Sequence, residues 1–145
     1  MTLYCTEEFK REFERLEKSS SYAGIGAVLV KTYCGATFDE ARSGDLLNDL
    51  VTAFFVKKRL EGRGGFRFYV LAVIKDESIY LTFVHPKTGR HGADNITKAK
   101  HHELLKEVLR LRKQGGIMYE LKPVASDSQK VEFLLRQAAP VITTA

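Results

Sequence analysis

Between Ala53 and Val84 the chain passes through three segments dense in aromatic and β-branched residues: Ala53 to Leu60, Phe66 to Ile74 and Ile79 to Val84. Only Glu61-Gly62-Arg63-Gly64-Gly65 and Lys75-Asp76-Glu77-Ser78 separate them. Segments of this length and composition favour strands, and connectors this short leave no room for a crossover, so the sequence predicts an antiparallel meander. Alternation puts Phe66, Phe68, Val70, Ala72 and Ile74 on one face of the middle strand, with Arg67 and Tyr69 on the other. An apolar face of that size has to be covered, and amphipathic helices are the expected cover.

The flanking segments supply such helices. Leu3 to Cys5 reads as a short first strand, and Thr6 as the N-cap of a helix over 7–18, with Glu7 and Glu8 favourably placed in its first turn. Phe9, Phe13 and Leu16 form that helix's apolar stripe. From Tyr22 to Tyr33 the apolar run contains two glycines and fits a helix or a buried strand. Thr37 caps a short helix reaching Ser43, and Thr97 caps a longer one from Lys98 to Gln114, stopped by Gly115-Gly116. Ile117 to Pro123 reads as a final edge strand. After Val124 the chain is either a helical appendage carrying Val131, Leu134 and Leu135 or a frayed tail.

A length of 145 residues suits a single domain. The expectation is an α+β domain over residues 1–125, with a mostly antiparallel, twisted sheet of about four strands and helices packed on one face. Residues 126–145 form a helical or flexible appendage. Hydrophobic residues are 44% of the chain and charged ones 28%, a balance that excludes wholesale disorder. The longest weakly polar stretch, residues 23–30, is far short of a membrane helix. With two cysteines, Cys5 and Cys34, and no recognisable leader, a cytoplasmic location away from membranes is expected.

The net charge of +5 invites an acidic partner, and its distribution is more telling than its size. Lys57, Lys58, Arg59, Arg63 and Arg67 place five cations within eleven residues against one acid, Glu61. They straddle a hairpin that also carries Phe66 and Tyr69. Lysines on an edge strand also serve simply to block aggregation, but Arg67 lies inside an apolar strand, directly after a double glycine where backbone can approach a partner closely. A second basic turn, His85-Pro86-Lys87-Thr88-Gly89-Arg90-His91-Gly92, follows the third strand and is expected to converge on the same end of the sheet.

Cleaving RNA at a phosphodiester requires removing the 2′-hydroxyl proton, protonating the leaving oxygen and offsetting extra charge on phosphorus. Arg67 and Lys57 suit the charge. His85, with an ordinary pKa near 6.5, suits proton transfer, and Tyr69 or Tyr119 suits base stacking or proton donation. The expected catalytic set is thus Arg67, His85, Lys57 and Tyr119, with Lys58, Arg59, Arg63, Tyr69, Lys87 and Arg90 holding RNA.

The run from Val56 to Arg67, with its Lys-x-Arg, basic glycine loop and Gly-Gly-x-Arg, resembles the RelE/HigB superfamily of bacterial toxins. The aromatic strand that follows, then Pro86-Lys87-Thr88 and Asp94-Asn95-Ile96-Thr97 before a helix, continues that resemblance over roughly residues 45–113. It implies a compact ribonuclease-like toxin that cleaves messenger RNA, usually on the ribosome, and is held inactive by a cognate antitoxin. It also implies that Lys57, Arg59 and Arg67 are the basic strand positions and Lys87 the lysine after the third strand, with Tyr119 a loose counterpart of a terminal tyrosine. The same scaffold supports ParE-like inhibitors of DNA gyrase that do no RNA chemistry, and an inactive RNA-binding module is a further alternative.

Other motifs carry less. Adjacent His101 and His102 on a helix point about 100° apart and do not converge on a metal. Cys5 and Cys34 lack metal or redox spacing, and Gly62-x-Gly64-Gly65 joins strands without opening a helix as a nucleotide loop does. No metal and no cofactor is expected.

Overall fold

The computed structural model describes residues 1–50, 52–60, 65–87 and 95–138. In chain order the elements are β1 (Thr2–Cys5), α1 (Glu7–Glu17), α2 (Ile25–Tyr33), α3 (Phe38–Ala41), β2 (Asp45–Leu50), β3 (Ala53–Arg59), β4 (Phe66–Val73), β5 (Ser78–Pro86), α4 (Lys98–Gln114), β6 (Gly116–Val124) and β7 (Asp127–Ala138). The strands form one sheet in the order β2-β3-β4-β5-β1-β6-β7. β1 runs parallel to β5, and every other pairing is antiparallel.

The expected sheet of about four strands with helices on one face is wrong on both counts: the sheet has seven strands, is mixed, and is covered on both sides. The reason for the second cover lies in β4. Its residues from Phe68 to Val73 are buried without alternation, the mark of a strand packed on both faces. On one side Phe68, Val70 and Ala72 join Phe9, Phe13, Leu16, Ile25 and Leu29 from α1 and α2. The Phe9 ring lies 6.0 Å and the Tyr33 ring 5.7 Å from that of Phe68. On the other side Phe55, Tyr69, Leu71 and Val73 meet Leu104, Leu105, Val108 and Leu111 of α4.

The segment left open between helix and strand, 22–33, is a helix from Ile25 onward. Gly26 in it lets β7 come close, since a Cβ there would stand 2.8 Å from the Gln129 carbonyl. Between Val124 and Ala138 the chain forms neither helix nor loose tail but a strand, and residues 139–145 lie outside the described residues. β7 pairs along β6, so Ile117 to Pro123 is not an edge. Val131 and Phe133 alternate onto the α1 side, the Phe133 ring 5.6 Å from that of Phe13. Val131, Leu134 and Leu135 left a helix or a frayed tail open, whereas the decisive spacing is two, Val131 to Phe133. β2 is the other outer strand, and its Asp45 and Asn48 suit that edge position.

Candidate functional site

β3, β4 and β5 set the site through register. Arg59 stands opposite Arg67, and Arg67 opposite His85; one row inward, Lys57 stands opposite Tyr69, and Tyr69 opposite Phe83. Both rows project on the α4 side. For His85 this depends on a β-bulge. Tyr69 pairs with Phe83 and Val70 with Leu81, so Thr82 is an extra residue, and its hydroxyl donates to the Tyr69 carbonyl at 2.8 Å. Ile79 and Leu81 face α1 and α2 before the bulge, whereas Phe83 and His85 face α4 after it. A single inserted residue thus flips the phase of the strand and brings the imidazole beside Arg67 and Tyr69.

The mouth of the β3–β4 hairpin is shaped by Gly65, whose φ of 59° is left-handed. Its carbonyl accepts from the Lys87 backbone N–H at 2.9 Å and from Arg67 Nη1 at 3.1 Å. Lys87 and the Arg67 guanidinium are therefore gathered at one carbonyl. Arg67 also donates to the Phe66 carbonyl, while its Nε is buried without a partner among the described residues. Lys87 is exposed and Arg67 half-buried.

Beneath this rim, Tyr69 and His85 form a buried pair with rings stacked 5.5 Å apart. The Pro86 carbonyl can only accept, so His85 Nδ1–H donates to it at 3.0 Å. In the neutral imidazole Nε2 is then the acceptor, and it receives the Tyr69 hydroxyl at 2.9 Å. Burial pushes the His85 pKa below its ordinary value; the Pro86 bond opposes this, and the charges of Lys57 and Arg67 reinforce it. Burial raises the Tyr69 pKa against the pull of the Ile96 N–H, Arg67 and Arg59. Lys57 is buried and donates to the Asn95 side chain just before α4.

The remaining residues expected at the site scatter. Arg59 stays with the row but is exposed and paired with Asp45 at 3.2 Å. Lys58 points to the opposite side of the sheet, over the Tyr33 ring and hydrogen-bonded to the Glu40 carbonyl, and its burial lowers its pKa. Tyr119, on β6, packs into the α1-side core with Lys10 over its ring, so it is separated from His85 by the sheet itself. Tyr69 is fully buried and cannot stack on a base; it holds His85 instead. Arg63 and Arg90 lie outside the described residues.

No family model matches the chain, and no curated protein matches it. The site's own chemistry therefore carries the functional reading. One participant had no sequence signal as such: His101 of α4, set aside as a poor metal ligand, tilts against Tyr69 at 5.7 Å. Its pKa is lowered by burial and by Lys57 and His102. Among the described residues no helix is long and apolar enough to cross a membrane, and no histidine, cysteine and carboxylate group gathers as a metal site.

Proposed function

We propose that this chain is the toxin of a toxin–antitoxin pair, an endoribonuclease that cleaves messenger RNA on the ribosome without a metal ion. The observation that carries this reading is the Arg59–Arg67–His85 row, with the Lys87 backbone N–H tied to the same carbonyl as the Arg67 guanidinium and its side chain exposed. Guanidinium and ammonium groups at the rim suit the phosphate, and a neutral imidazole beneath them suits proton abstraction. The 2′-oxygen attacks phosphorus and the bond to the 5′-oxygen breaks, giving a cyclic phosphate and a 5′-hydroxyl. The 2′-hydroxyl proton passes to the Tyr69 oxygen as the Tyr69 hydroxyl gives its own to His85 Nε2, the Lys87 ammonium returns one to the leaving oxygen, and Arg67 offsets the charge gained by the phosphoryl group. Water then resets both groups.

His85 is only 5% exposed, so a bound strand reaches it by displacing Asn95 and Ile96, which are tied to Lys57 and Tyr69. The test is translation of a defined message in a cell-free extract with the purified protein, mapping new 5′ ends by primer extension beside Arg67→Ala. Discrete cuts that need ribosomes and vanish in the variant are expected. An intact message with normal translation would overturn the reading.

A further inference from the structure

A cavity of about 300 Å³ opens between the β2–β3 pair and the N-terminal part of α4, next to the candidate site and not yet given a role. Its floor is apolar and its rim polar. Phe55 and Leu105 are buried in the floor, and the His101 ring stands nearly perpendicular to Phe55 at 6.5 Å. Leu47 is the extra residue of a bulge in β2, where Leu46 pairs with Val56 and Asn48 with Phe55, and it packs into the α4-side core. The bulge leaves Asn48 opposite Phe55, and both Asn48 and Lys98 are exposed residues that line the cavity. His101 Nε2 is buried and has no hydrogen-bond partner among the described residues.

We propose that this cavity takes one unstacked nucleobase of the RNA strand, next to the bond that is cut; the inference rests on the RNA-cleaving function proposed above. The volume is at the small end of ligand sites, suited to one flat ring system and too small for a folded peptide element. Two rings and two leucines offer flat, apolar contact to the base faces. The Asn48 amide, with both donor and acceptor, suits a base edge, and Lys98 suits the adjoining phosphate. An anion alone would use little of this lining. The path to the cleavage chemistry is short: His101 contacts Tyr69, and Tyr69 is bonded to His85. A base seated here therefore selects which phosphate lies over Arg67.

Two measurements on the full chain test this. In the first, amide and side-chain NMR signals of Asn48, Phe55 and His101 are followed as each of the four free nucleosides is added, with inorganic phosphate as the control. Shifts with at least one nucleoside and none with phosphate are expected; no shifts, or equal shifts with phosphate, overturn the proposal. In the second, cut sites in one message are compared for the wild type, Asn48→Ala and His101→Ala. The wild type should favour one base beside the cut. His101→Ala should lose about tenfold at that base relative to the others, the order expected when one stacking contact is lost, and Asn48→Ala about fivefold, the order expected for one lost hydrogen bond. Asn48 is exposed, so its variant remains informative even if His101→Ala disturbs packing. Unchanged base preference in both variants overturns the subsite while leaving cleavage intact. Nucleoside shifts from a protein that cuts nothing support the subsite and overturn the cleavage reading.

Discussion

Tyr69 and His85 show how two residue types gain their roles from a shared environment. The tyrosine hydroxyl gives its proton to Nε2 and takes the Ile96 N–H, and His85 is out of water. Tyr69→Phe keeps the packing but leaves the buried imidazole nitrogen without its donor and the Ile96 N–H without its acceptor, which costs about 1–3 kcal/mol. Urea unfolding checks this, and an unchanged midpoint would show that the bond contributes nothing. Protonation gives a second expectation. His85 and His101 both have folded-state pKa values below the unfolded one, so between the two values the unfolded chain binds more protons. Their neutral burial costs nothing above about pH 6.5, and stability falls as pH drops below that value. The urea midpoint should therefore be lower at pH 5.5 than at pH 7.5, and the His85→Gln, His101→Gln double variant should narrow the gap. An equal gap in wild type and variant would assign the acid sensitivity to other groups.

At the scale of elements, caps and edge cover decide what holds. Thr6 is buried at the start of α1; its oxygen accepts the Phe9 N–H at 3.2 Å and its hydroxyl donates to the Thr82 carbonyl at 3.4 Å. The same side chain ends the helix and ties it to the bulge that aims His85. Thr6→Ala should cost about 1–2 kcal/mol in urea unfolding, the upper range for a lost cap; a loss near zero would mean that the cap is not formed. β7 covers the outer side of β6 and seats Phe133 against Phe13. A chain ending at Ala125 would expose the β6 edge and part of the core, so it should aggregate or unfold at clearly lower urea. If it instead unfolds cooperatively at the full-length midpoint, β7 is dispensable to the domain.

For the whole molecule, the RNA binding proposed above, by a chain of net charge +5, should weaken steeply with salt. If Arg59, Arg67, Lys87 and Lys98 each neutralise one phosphate of a single strand, the logarithm of affinity should fall with that of salt at a slope of about −3. Titrating a fluorescent single strand across a salt series measures it, and a flat response would remove the electrostatic grip on which the proposed cleavage depends.

Much of the architecture was legible in local pattern. Thr6, Thr37 and Thr97 marked three helix starts, and the strands of the meander followed from their β-branched and aromatic runs. The alternation of β4 also put Arg67 and Tyr69 on one face, because side-chain direction along a regular strand follows from residue number alone, whereas the β3–β4 register is what sets Lys57 and Arg59 beside them. What the sequence could not decide was whatever depends on a partner strand or an irregularity. Tyr119 and Lys58 belong to the other face, β7 shows itself only once β6 offers it hydrogen bonds, and α4 closes a second face that looked polar because of Arg67. Thr82 is the sharpest case. Nothing in its identity announces a bulge, yet that one unpaired residue turns His85 from the α1 side to the α4 side, since a strand's two-residue period makes any single insertion reverse every side chain after it.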